Sequence, residues 1–243
     1  MSLSPFDFFL TFCLVVGLPL WALRSWRQLA ARLERGLPGA RLEAYRRVVV
    51  VQWSLVGLLA LHVALRSIDP TALGFTLPLD ARALGALLVS GALVMFVLGQ
   101  ARSALRDPET RDEARKQLEG LRAMLPHTPR ENSWFRAVAW TAGICEEILY
   151  RGYLPWVLAF TMPTAWAFVV ATLVFGVGHA YQGVSGIAKT TLIGAIMAAL
   201  TYASGTLLPA IVLHVAVDAI NGNLAYNLLR ETPRPSTADD DAG

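Results

Sequence analysis

Six ionisable side chains stand where an apolar chain should hold none. Between residues 137 and 229 the only charged residues are Glu146, Glu147, Arg151, Lys189 and Asp218, and His179 and His214 lie among them. Lys189 sits near a helix end, from which a long side chain can reach the interface. The other six fall inside apolar stretches. There each charge costs about 2.5–3.5 kcal/mol at mid-bilayer, so such groups face a polar cavity or one another. Carboxylates and imidazoles sharing a wet cavity can move protons, hold a metal ion or activate water.

Helical spacing sorts these groups. Glu147 and Arg151 are four residues apart, about 40° around a helix, in the acid-before-base order that favours pairing. They read as a supporting ion pair. Glu146 points about 100° away from Glu147, with Tyr150 four residues on and Gly143 three residues back, which leaves room beside it. Lacking that cationic partner, it keeps its oxygens for a proton, as a general base must. His179 ends the run Phe-Gly-Val-Gly-His from Phe175, whose glycines permit close helix approach. His214, Asp218 and Asn221 share one face of the last span. Asp218 is placed to orient the His214 ring and fix its tautomer, or both could bind one ion. Blander readings attach to the rest. His62 alone reads as a helix–helix hydrogen bond, and His127, beside Pro126, as an ordinary loop residue. Cys13 and Cys145 lack metal-type spacing and read as small buried hydrophobes.

The chain that must position these groups has 243 residues, 55% of them hydrophobic and 16% charged, with a mean hydropathy of +0.48. Charge is absent from 8–23, 48–65, 83–101, 152–188 and 190–217. Since about 20 apolar residues cross a hydrocarbon core of about 30 Å, a soluble enzyme, a disordered chain and a disulfide scaffold are excluded. The expected fold is all-α, a polytopic transmembrane helix bundle of about seven spans: 6–23, 48–65, 83–101, 137–158, 163–179, 186–203 and 207–222. The first segment has no positive charge before it and Arg24 and Arg27 after it. That is the reverse of a cleavable signal peptide, so it reads as a retained span with its N-terminus outside. The basic segments 24–47 and 102–136 read as cytoplasmic loops. Within the second, Asp107 and Pro108 look like an N-cap and first helical residue. Ala114, Leu118, Leu121 and Leu125 then recur at helical spacing. This is read as a cytoplasmic amphipathic helix, lying on the bilayer or packed over the bundle ends. Three parts result: N-terminal helices and basic loops in 1–136, a transmembrane core with the candidate catalytic groups in 137–230, and a polar tail, 231–243, read as disordered. A net charge of +3 placed in loops suits the surface of a lipid bilayer, and no nucleic-acid motif is visible. Nor is there an internal repeat of the kind that marks inverted transporter halves.

The set Glu146-Glu147-x-x-x-Arg151, Phe175-x-x-x-His179 and His214-x-x-x-Asp218, in that order and on separate expected helices, resembles the CAAX protease and bacteriocin-processing (CPBP/Abi) family of intramembrane proteases. Type II CAAX prenyl endopeptidases are among its members. The resemblance spans 146–218, while the first 130 residues share only hydropathy with the family. It implies a helical bundle whose catalytic cavity opens to the cytoplasm, multi-pass in the inner (plasma) membrane of a bacterium. It also implies cleavage of a peptide bond near a C-terminus or beside a leader, in a membrane-associated protein or peptide substrate. By this resemblance Glu146 activates water, His179 and His214 complete the centre, Asp218 is its fourth member, and Glu147 and Arg151 support it. The prenyl-protease branch usually carries Asn where this chain has Asp218, and Asn221 on the same face could supply that amide. Residues 223–230 are too few for the family's frequent eighth helix.

Two mechanisms are open to such a centre. In one, His179, His214 and Asp218 hold zinc or another divalent metal and Glu146 takes a proton from its water. In the other, metal-free, Glu146 and His179 activate water directly and His214 stabilises the oxyanion. With no H-E-x-x-H in the chain, spacing does not choose between them. A non-catalytic bacteriocin immunity or membrane scaffold protein of the same fold, and an ion transporter, are the readings from other classes.

Overall fold

The computed structural model describes residues 2–77 and 80–230, so the expected disordered tail, 231–243, lies outside the described residues. Ser4 opens the first helix: its hydroxyl accepts from the Asp7 N–H while the Asp7 carboxylate accepts from the Ser4 N–H, a capping box with Pro5 at the first turn. Helix α1 (Pro5–Phe12) runs through a π turn (Cys13–Gly17) into α2 (Leu18–Glu34), forming one apolar rod of 30 residues. Gly36 and Gly39, both left-handed, turn the chain into α3 (Ala40–Leu65).

The basic segment 24–47 is therefore not the loop expected from its charge. Arginine is a good helix former and its stem can lie along apolar surface, so charge marks where lipid ends rather than where the helix ends. A 3₁₀ turn (Pro70–Leu73) leads towards α4 (Ala81–Arg106). Asp107 then caps α5 (Pro108–Glu119) by accepting from the Thr110 N–H, as its sequence implies. This helix stops at Glu119, so Leu121 and Leu125 lie beyond it. It packs on α4 and the end of the last helix.

A second capping box, Thr128 with Glu131, starts α6 (Pro129–Glu147), which passes through a π turn (Ile148–Tyr153) into α7 (Leu154–Leu158). Helix α8 (Thr164–Gly178), a 3₁₀ turn (Ala180–Gln182), α9 (Gly183–Ser204) and α10 (Leu208–Leu229) complete the chain. No strand occurs among the described residues. Residues 223–229, too few for an eighth helix, simply continue α10.

The chain is a multi-pass membrane protein, and among the described residues five helices are long and apolar enough to cross a bilayer, so the expected count of about seven is not confirmed: Pro5–Glu34, Ala40–Leu65, Ala81–Arg106, Ala180–Ser204 and Leu208–Leu229. The two remaining expected spans fall short for different reasons. Helix α8 is apolar but only 15 residues long, under the usual minimum of about 17. The stretch from α6 to α7 is long enough, yet it carries Glu146, Glu147 and Arg151 and is interrupted by its π turn.

Helix α10 packs along α6 and α4, α3 along α6, and α8 along α9. Between apolar helices in lipid, close packing rather than transfer from water holds the contact, which favours small residues. At Gly143 any side chain would begin 2.7 Å from the Val215 backbone nitrogen. The main core joins Leu10, Leu14, Leu59, Leu149, Tyr153 and Phe175, wrapping the N-terminal rod and α3 around the charged turn. A buried polar cluster pins that rod. Asp7 Oδ1 lies 2.9 Å from His62 Nε2 and accepts from the Tyr153 hydroxyl at 3.2 Å, while Phe6 stacks on the His62 ring. His62 is thus the helix–helix hydrogen bond its isolation implies.

Candidate active site

Glu147, at the end of α6, is fully buried. Its Oε1 accepts from Arg151 Nη1 at 3.0 Å and from His214 Nδ1, on α10, at 2.7 Å. A carboxylate can only accept, so Nδ1 of His214 carries the proton and the ring is fixed with Nε2 facing away. On that side lie Asp218 Oδ2 at 3.7 Å and Glu146 Oε2 at 3.9 Å. These spacings exceed a direct hydrogen bond and suit groups that meet through a third atom.

Arg151 reaches onward from the π turn. Its Nη2 donates to the Gly194 carbonyl of α9 at 3.2 Å, and its guanidinium lies 4.0 Å over the Phe175 ring, a cation–π contact. A side chain at Gly194 would begin 2.8 Å from that nitrogen, so only glycine leaves the approach open. His179 closes α8, donating from Nδ1 to the Phe175 carbonyl at 2.9 Å, and its Nε2 makes no hydrogen bond among the described residues. The Phe175 ring is 4.8 Å from the His179 ring and 6.1 Å from the His214 ring.

Glu146 sits one residue before the buried ion pair. Its Oε1 accepts from Gln52 Nε2, on α3, at 2.7 Å. Its Oε2 is buried and takes no hydrogen bond among the described residues. The Asp218 side chain is 39% exposed, against 15% for Glu146 and 8% for His214, so the cluster is most open at Asp218. Two imidazoles and three carboxylates thus gather where α6, the end of α8 and α10 meet, in an apolar bundle.

Residues 130–220 match the Rce1-like family, that of the type II CAAX prenyl endopeptidases.

The match is to the family that the motifs resemble, and the matched Rce1-like segment holds every converging motif residue. Asp218, in place of the branch's usual Asn, does not remove it from the match. No curated protein and no solved structure matches the chain.

Within the Rce1-like segment the structure brings together Glu146, Glu147, Arg151, His214 and Asp218, with His179 joined through Phe175. Asn221 is exposed and is not among the hydrogen-bond partners of the cluster. One pairing differs from the sequence reading: Glu147, not Asp218, makes the hydrogen bond that orients His214. The i+4 argument considered one helix, whereas the partner comes from another. Among the described residues no three His, Cys, Asp or Glu form a group that could hold a metal ion. His127 stays outside the site, where burial and then the Arg41 charge hold its imidazole below its ordinary value.

Sequence reasoning missed two residues. Gln52 lies upstream of the Rce1-like segment, and its signal was an amide in the uncharged stretch 48–65. Asp7 had a signal too, the Ser-x-x-Asp start of the first helix.

Proposed function

We propose that this chain is an intramembrane endopeptidase in which Glu146 activates the water that cleaves a peptide bond. The observation that carries the reading is the facing pair of Glu146 Oε2 and His214 Nε2, 3.9 Å apart on different helices, each already fixed from behind by another side chain. A water between them gives one proton to Glu146, and its oxygen adds to the scissile carbonyl carbon. The oxyanion so formed is met by His214, donating from Nε2 as an imidazolium whose charge Glu147 balances. Glu146 then returns its proton to the departing amine as the carbon–nitrogen bond breaks. His179, with Nε2 unbonded, is the second acceptor for the attacking water. The Rce1-like match favours a lipid-anchored C-terminal peptide as substrate, cut within the membrane that the apolar helices span.

A metal-dependent reading has its own support, since both imidazoles keep Nε2 free and Asp218 lies 3.7 Å from one of them. In that reading His179, His214 and Asp218 would hold zinc or a similar divalent ion, which would polarise the water.

Purified protein in liposomes, given a prenylated peptide with a CAAX ending, tests both readings by mass spectrometry. Release of the C-terminal tripeptide that survives exhaustive chelation is the expected result. Loss on chelation with recovery on added zinc would shift the chemistry to the metal. Failure to cut this or any other membrane-anchored peptide would favour a non-catalytic immunity or scaffold role.

A further inference from the structure

Gln52 stands outside every motif above, on a helix that the Rce1-like match does not reach. We infer that it is a positioning residue for Glu146, an inference that rests on the endopeptidase reading for its catalytic consequence. The side chain is 9% exposed in a stretch without charge, where an amide without a partner would cost about 2–7 kcal/mol. Its Nε2 donates to Glu146 Oε1 at 2.7 Å. The amide must present nitrogen there, because a carboxylate offers no proton.

A carboxylate on a flexible stem has two equivalent oxygens and free rotation about its last bond. An amide fixed on one of them removes both freedoms. Oε1 is committed to α3, and Oε2 is left turned to His214 Nε2 at 3.9 Å. Two buried oxygens, Glu146 Oε2 and Gln52 Oε1, take no hydrogen bond among the described residues. They belong to the two side chains this one bond joins, and of the two it is Glu146 Oε2 that faces His214 Nε2. The same bond ties α3 to α6, whose packing also includes Trp53 Nε1 donating to Thr141 Oγ1 at 3.2 Å. That neighbouring bond holds the helices together without Gln52, which separates positioning from mere support.

The test uses the full-length protein in liposomes and the variant Gln52→Met, close in shape but without a donor. Infrared difference spectra against Glu146→Gln identify the Glu146 carboxylate band, with no substrate required. In Gln52→Met that band is expected to move, and kcat on the prenylated peptide to fall about 100-fold with KM within about twofold of wild type, while the protein still unfolds cooperatively at a somewhat lower temperature. An unmoved band, or a wild-type kcat, overturns the inference, as does a change confined to KM. Should Gln52→Met not fold, Gln52→Leu takes its place. If the wild type cleaves nothing, the endopeptidase reading falls while the infrared comparison still decides whether Gln52 holds Glu146.

Discussion

Glu147 and His214 are 67 residues apart in the chain and 2.7 Å apart in space. That contact fixes the orientation of the ring that faces Glu146. Replacing Glu147 by Gln keeps the shape and an accepting oxygen but removes the charge behind the imidazole. We expect kcat to fall about 10- to 100-fold while KM holds, read from steady-state cleavage of the prenylated peptide. An equal loss in KM alone would assign Glu147 to substrate binding.

Arg151 is the other partner of Glu147, 1% exposed at its side chain. Arg151→Met leaves a buried carboxylate facing His214 alone, and removing one member of such a pair costs about 3–5 kcal/mol. The double variant Arg151→Met with Glu147→Leu should recover most of that stability but not the activity. Thermal unfolding in detergent measures the first quantity and peptide cleavage the second.

Much of this arrangement is legible in the sequence. Apolar runs of bilayer length, broken by a handful of ionisable groups, specify a membrane bundle and name Glu146, Glu147, Arg151, His179, His214 and Asp218, because intramembrane charge is costly enough to be informative. What lies beyond one helix is not legible. Periodicity places Asp218 below His214, yet says nothing of the neighbour that brings Glu147 to the same ring. The count of about seven spans is not confirmed for a related reason: hydropathy alone does not separate a helix of crossing length from α8, which is apolar but short, and charge in 24–47 hides helix ends that follow backbone propensity instead. Gln52 is uncharged, so it raised no alarm.

Gly143 sets how closely α6 meets α10. A Gly143→Val side chain would strike Val215, and such overpacking costs about 1–3 kcal/mol. Because the same two helices carry Glu147 and His214, activity should fall with it. Gly57→Ala, on α3, has open space around the added carbon and should leave cleavage unchanged. Parallel unfolding and activity assays on the two variants check the contrast.

Asp7 and His62 tie α1 to α3 away from the candidate site. Among the described residues, His62→Ala leaves Asp7 with its Ser4 and Tyr153 donors only. A loss of about 1–3 kcal/mol follows from removing one partner of a buried hydrogen bond. Activity per folded molecule should be preserved. A variant of wild-type stability would show that the cluster does not pin the rod.

The most direct measurement is turnover of the prenylated peptide by Glu146→Gln in liposomes, beside the wild type and with folding checked by thermal unfolding. The amide keeps the size of the side chain but cannot take a proton from water. The account predicts a folded protein with cleavage reduced at least about 100-fold. A folded Glu146→Gln protein that cleaves at the wild-type rate would contradict it.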